Sequence, residues 1–110
     1  MDYRAVAEAI GEASDRAVIV GAVFTAAPGK AEMIAEALRG ARDQVREHEV
    51  GNTHYHLARS GDRFIAYERY VSRSAFDEHR RSPAVASLFA FFEREEVLAG
   101  PPEIEFYTEL

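Results

Sequence analysis

Apolar and polar residues recur with two different periods, which divide the first half of the chain into a helix, a strand and a second helix. Residues 2–13 carry apolar side chains at helical spacing, and residues 16–26 are rich in β-branched residues, which predicts a strand. A longer helix begins near Pro28 and ends within 48–51, with one apolar stripe and charged residues largely off it.

The second half of the chain predicts a hairpin, two helices and a final strand. Residues 52–59 and 63–71 flank a Ser-Gly-Asp turn, so these two strands should pair antiparallel. A short helix ends near Arg80, and Ser82-Pro83 begins another, with serine as the N-cap and proline in the first turn. Residues 103–109 alternate apolar and polar side chains, which predicts the last strand.

The order β-α-β-β-α-β predicts an α+β fold of the ferredoxin-like, split βαβ type, with a four-stranded antiparallel sheet and helices on one face. We expect one domain at 16–110, preceded by an N-terminal helical extension at 1–15. The strand at 16–26 is apolar on both faces, whereas the uncovered face of such a sheet is usually polar. We therefore expect a homodimer in which the sheet of a second copy packs against this face.

Composition narrows the classes of partner. The 110 residues carry a formal net charge of −6, which argues against nucleic acid because that partner requires clustered lysine and arginine. The chain has no cysteine, which excludes disulfides, thiolate metal sites and cysteine nucleophiles. No apolar run approaches the roughly 20 residues of a membrane span, and the N-terminus lacks a signal-peptide pattern, so we expect a cytoplasmic protein with no membrane partner.

Two histidines on one strand form the first candidate for chemistry, since no nucleotide-binding or serine-hydrolase motif occurs. His54 and His56 share a strand face and lie about 7 Å apart. They would hold a metal ion if a third ligand, such as Glu68 of the neighbouring strand, joined them. The alternative is that both are polar residues of a half-exposed face.

Glu68 and His79 are candidates for proton transfer. Glu68 shares a strand face with Phe64 and Tyr70, where a partly desolvated carboxylate suits acid–base chemistry; alternatively, it forms a structural salt bridge. His79 lies near the end of the short helix, either at the rim of a cavity between helices and sheet or as a surface imidazole.

Two further residues are open to two interpretations each. Asn52 follows the turn at Gly51, where it is either a turn residue or a hydrogen-bond donor to a ligand. Phe89 belongs to a phenylalanine cluster near the C-terminus that is either core or a platform for a ligand.

The order and spacing of several short motifs, from about residue 17 to residue 110, resemble the antibiotic biosynthesis monooxygenase family, which includes small quinol monooxygenases. The motifs are Pro28-Gly29-Lys30, Glu49-Val50-Gly51-Asn52, Tyr67-Glu68-Arg69-Tyr70, Ala75-Phe76-Asp77-Glu78-His79, Ser82-Pro83 and Gly100-Pro101-Pro102-Glu103-Ile104. The resemblance implies a dimeric α+β barrel, with the sheets of two chains packed together and a pocket between each sheet and its own helices.

The same resemblance implies a monooxygenase that oxidises a phenolic, hydroquinone or polyketide-type aromatic substrate with O₂ and needs no flavin, haem or metal. It implies that Glu68 and His79 are catalytic, and Tyr70 stands where many members have tryptophan. The expected substrate-binding residues are Asn52, Tyr70, His54 and Phe89.

Three other functions compete with this prediction. Haem degradation is disfavoured because the chain has no tryptophan, and Ala22 and Val23 stand on the first strand where haem-degrading relatives use an asparagine. A polyketide cyclase or isomerase would use the same barrel without O₂. A non-catalytic ligand-binding or structural dimer would be favoured if Glu68 and His79 pointed into a filled core.

Overall fold

The computed structural model describes residues 16–110, so the helix predicted at 2–13 and the extension 1–15 lie outside the described residues. The predicted element order over 16–110 is confirmed. The strands are β1 (Val18–Thr25), β2 (Asn52–Ser60), β3 (Arg63–Tyr70) and β4 (Glu103–Thr108), and the helices are α1 (Ala31–His48), α2 (Arg73–Arg80) and α3 (Pro83–Glu95).

The four strands form one antiparallel sheet in the order β2-β3-β1-β4. Alternate residues of β1 are buried against the helices, beginning with Val18 and ending with Phe24. The register places Glu68 of β3 between Val20 of β1 and Tyr55 of β2. Glu68 therefore lies in the middle of the helix-covered face.

The helices pack through the apolar stripes that the sequence predicts. The stripe of α1 includes Ile34, Leu38 and Val45, all of which are buried. Helix α3 begins as predicted, because the Ser82 hydroxyl accepts a hydrogen bond from the Val85 amide and proline follows it. These two helices leave room at one end of the sheet, where the short helix α2 packs.

Helix α2 lies over a second, smaller part of the core. Its N-cap is Ser72, whose hydroxyl accepts a hydrogen bond from the Ala75 amide at 3.1 Å. Phe76 is fully buried there and packs with Val18 and Tyr70. The next residue of α2 on this face is His79, which the helix thus holds over β3.

The other face of the sheet exposes large apolar side chains. Ile65, Tyr67 and Tyr107 are 51%, 44% and 48% exposed, and all three lie on strands. This is the face against which the sequence predicts a second sheet. Within residues 16–110, no helix combines the length and apolar character needed to cross a membrane.

Candidate active site

Glu68 and His79, the two predicted catalytic residues, meet in the interior. Nε2 of His79 lies 3.3 Å from Oε1 of Glu68, and both residues are about 95% buried. Helix α2 supplies the imidazole and the central strand β3 supplies the carboxylate, so both groups are held by regular backbone. The structure therefore joins two groups that are only 11 residues apart but belong to different elements.

His79 has a second carboxylate partner that sequence reasoning missed. Nδ1 of His79 lies 2.7 Å from Oε1 of Glu49, which follows helix α1 and is mostly buried. Each ring nitrogen of His79 thus faces a carboxylate. Glu49 stands in one of the family-like motifs, and this was the only signal in the sequence that pointed to it.

Close packing at Gly51 holds the turn of Glu49 against helix α2. A Cβ at Gly51 would collide with the Cβ of Ala75, so only glycine lets the turn approach the helix this closely. The carbonyl of Gly51 also accepts a hydrogen bond from the Val71 amide at 2.9 Å. This packing fixes Glu49 relative to His79.

Tyr70 completes the cluster. Its hydroxyl donates a hydrogen bond to Oε1 of Glu68 at 2.7 Å, and its ring stacks on the imidazole of His79 with ring centres 4.5 Å apart. Burial, reinforced by the neighbouring carboxylate of Glu68, raises the pKa of Tyr70 far above its usual value. Tyr70 therefore remains a neutral donor that orients Glu68.

The two carboxylates favour the protonated imidazole. Burial by itself would lower the pKa of His79, but hydrogen bonds to Glu49 and Glu68 outweigh it and raise the pKa to about 9. At neutral pH His79 is thus an imidazolium that donates protons from both ring nitrogens. It is suited to stabilise an anion or to donate a proton, whereas Glu68 is the group that can accept one.

The cluster borders a small cavity of about 30 Å³. Its walls include Tyr55, Glu68, His79, Leu88 and Phe89, and the rest of the lining is mostly apolar. The volume is that of about one water molecule, well below the roughly 300–1,000 Å³ of ligand pockets. Phe89, a predicted substrate-binding residue, lines the cavity, but an aromatic ligand requires side chains to move.

Asn52 does not reach this cavity. Its side-chain Nδ2 donates to the backbone carbonyls of His54 at 2.9 Å and Arg69 at 3.3 Å, across an irregularity in the pairing of β2 with β3. The amide satisfies the backbone where the strand register shifts. The structure therefore supports the interpretation of Asn52 as a turn residue rather than as a hydrogen-bond donor to a ligand.

His54 lies on the opposite face of the sheet from Glu68. Tyr55 is the residue of β2 that pairs with Glu68, so its neighbours His54 and His56 point the other way. The hypothesis of a metal site made of His54, His56 and Glu68 is therefore wrong, and residues 16–110 contain no group of three or more such side chains arranged to hold a metal ion. Because His54 lies on the other face of the sheet, it does not line the cavity, and the prediction that it binds substrate there is wrong.

Solved structures from several organisms share this fold. The protein Rv0793 from Mycobacterium tuberculosis is 31% identical over 86% of this chain and 95% of its own, with a TM-score of 0.77. SO0527 from Shewanella oneidensis is 26% identical over 86% of this chain and 92% of its own, with a TM-score of 0.76. No curated protein matches in a sequence search.

A structure from Caulobacter crescentus carries the same family name that the motifs suggest. It is 23% identical over 87% of this chain and 92% of its own, with a TM-score of 0.78, which shows a common fold. The family model described as antibiotic biosynthesis monooxygenase matches residues 17–90, more than half of the chain and including Glu49, Glu68 and His79. The chain belongs to the antibiotic biosynthesis monooxygenase family.

Proposed function

We propose that the protein is a monooxygenase that oxidises a phenolic or hydroquinone-type aromatic substrate with O₂ and requires no cofactor. The observation that supports this proposal is the buried Glu49–His79–Glu68 cluster, which places a proton acceptor beside a cationic proton donor. Buried ionisable groups with shifted pKa values concentrate at functional sites. In a member of this family, such a pair fits the activation of a phenol.

The reaction of O₂ with a phenol determines what the site must do. Ground-state O₂ is a triplet and reacts slowly with closed-shell organic molecules unless one electron is transferred first. A phenolate gives up that electron far more readily than a neutral phenol. The protein must therefore remove the phenolic proton and stabilise the resulting anion away from water.

The described residues divide these tasks. Glu68 accepts the phenolic proton, with Tyr70 holding its carboxylate in place. The imidazolium of His79, whose charge Glu49 supports, stabilises the phenolate and later donates a proton to the departing oxygen. His79 is therefore the general acid of the reaction, because a protonated imidazole cannot act as the base.

The overall reaction balances without an added reductant. A phenol with a free C–H para to its hydroxyl reacts with one O₂ to give a para-quinone and one water. The ring carbon gains one oxygen atom as the O–O bond breaks, and the ring C–H proton and the phenolic proton leave in the water. The substrate loses four electrons and O₂ gains four, so no flavin or metal is needed to supply electrons.

The small volume of the cavity favours an alternative function. With space for about one water molecule beside Glu68 and His79, the site is nearly filled, as in a non-catalytic ligand-binding or structural dimer. A polyketide cyclase or isomerase is the other alternative, since the same acid–base pair could move protons without O₂. Oxygen consumption separates both alternatives from the proposal.

Oxygen uptake by chelator-treated protein tests the proposed function. We expect uptake with members of a panel of hydroquinones and phenolic polyketides, without added metal or flavin. Boiled protein is the control for spontaneous oxidation. Turnover of a panel member that continues unchanged without O₂ would instead indicate a cyclase or isomerase, and no uptake with any member would favour the non-catalytic dimer.

We also propose that two copies pack through the exposed sheet face. Replacement Ile65→Glu places a charge among the half-exposed apolar side chains of this face, so it should weaken dimerisation at least about tenfold. Sedimentation equilibrium measures the change. Val50→Glu is the control, because Val50 is 99% exposed in a turn; a monomeric wild-type protein would contradict the proposal.

A further inference from the structure

Among the described residues, a large open space lies on the outside of the helical layer, between α1 and α3. It is a groove of about 510 Å³, in the range of small-molecule sites. Residues at helical spacing line it from both helices, among them Met33, Gly40, Ala41, Ala84, Leu88 and Phe91. The groove is on the side of the molecule away from the sheet face expected to pair with a second copy.

This groove and the buried cavity share a wall. Ala41, Ala84 and Leu88 line both spaces, and the cavity beyond them contains Glu68 and His79. Leu88 is the only one of the three with a side chain that can rotate out of the way. A change of its rotamer is thus the smallest movement that would join the groove to the catalytic cluster.

A second depression extends the groove toward Glu49. It has a volume of about 350 Å³ and shares Gln44 and Ala84 with the groove, and Glu49 lies in its wall. The groove and this depression therefore approach the catalytic cluster at two places. One is Leu88, which separates the groove from the cavity, and the other is the carboxylate of Glu49, which binds His79.

The lining favours a flat or extended apolar ligand. Ala37, Gly40, Ala41 and Ala84 have little or no side chain, so a ring or an alkyl chain can lie close to both helix backbones. Met33 and Phe91 add larger apolar contacts, while the polar side chains are confined to Glu36, Gln44 and Ser87. A single phenol ring is too small to fill this space.

We propose that the groove between α1 and α3 binds the apolar body of a phenolic substrate, a fused ring system or an alkyl chain, with Leu88 as the gate through which the hydroxyl-bearing ring reaches Glu68. The inference deepens the proposed function and depends on it for the fate of the hydroxyl group. It explains how a chain with a nearly filled cavity accepts an aromatic substrate.

Binding of 4-hexylphenol, with phenol as the short homologue, tests this inference by NMR titration. The wild-type protein should bind 4-hexylphenol with shifts at residues of both helices, and each methylene should tighten binding by up to about fourfold. Gly40→Leu places a leucine side chain in the groove, and its Cβ meets no atom within 4 Å. It should weaken binding at least about tenfold, and Ser87→Leu on the facing helix should do the same.

Asp43→Leu is the matched control, because Asp43 is exposed on α1 and lies outside the groove. It should leave the Kd unchanged. Equal affinity of wild-type protein and both groove variants, shifts confined to other surfaces, or no binding would overturn the inference. Because 4-hexylphenol has no C–H para to its hydroxyl, it reports binding alone, and oxygen uptake is measured with the panel of hydroquinones and phenolic polyketides. Groove binding of 4-hexylphenol without oxygen uptake with any panel member would support the groove and contradict the proposed oxidation, so the two failures are distinguishable.

Discussion

Replacing Glu68 by glutamine should lower kcat/KM for the oxidation of an accepted aromatic substrate at least about a hundredfold, the usual contribution of a positioned acid–base group. Glutamine keeps the size of the side chain and a carbonyl oxygen that can still accept from the Tyr70 hydroxyl. It removes the negative charge and the ability to take the phenolic proton. Oxygen uptake at saturating and limiting substrate gives kcat and KM separately.

The chain offers a matched control for this variant. Glu105 on β4 accepts a hydrogen bond from the hydroxyl of Tyr107, two residues later, as Glu68 accepts one from Tyr70, but Glu105 is exposed. Glu105→Gln should retain the wild-type rate. A Glu68→Gln variant that folds and keeps more than about a third of the wild-type kcat/KM would remove Glu68 from the mechanism.

Stability should fall as the pH rises from about 6.5 to about 9. The pKa of His79 is raised from 6.5 to about 9 in the folded protein, so in this range the folded state holds a proton that the unfolded chain has lost. The stabilisation by His79 is therefore complete below pH 6.5 and lost above about pH 9. The difference corresponds to about 3 kcal/mol at 1.36 kcal/mol per pKa unit.

Urea unfolding at pH 6 and pH 9.5 measures this effect. His79→Gln should remove most of the pH dependence, and Glu49→Gln should reduce it, because one of the two carboxylates that hold the proton is gone. His48→Gln should leave it intact, since His48 is largely exposed at the end of α1. A wild-type protein equally stable at both pH values would show that the imidazole is not held as a cation.

Periodicity predicted the fold well because most elements are amphipathic. Alternation along β3 separates Glu68 and Tyr70 from the exposed residues, so a buried carboxylate beside a tyrosine was foreseeable. Ser82-Pro83 fixed the start of α3 by local capping alone. His79 was found because the helix that carries it is short and ends at a clear break.

The features of the site that depend on strand register and on packing between distant elements could not be predicted from the pattern of apolar and polar residues. The irregularity after Asn52 and the pairing of Tyr55 with Glu68 decide that His54 faces away from the site. The bond between Glu49 and His79 depends on how closely the Gly51 turn approaches α2. The volume of the cavity depends on the side-chain conformations of several elements at once, which no single stretch of sequence encodes.

The most direct measurement of the central claim is isotope incorporation during turnover in ¹⁸O₂. The metal-free wild-type protein should transfer one ¹⁸O atom into the quinone product for each O₂ consumed, with the other atom appearing in water. Glu68→Gln should lower both the uptake and the incorporation at least about a hundredfold. A product free of ¹⁸O, or one formed equally well under nitrogen, would contradict the assignment of this site to monooxygenase chemistry.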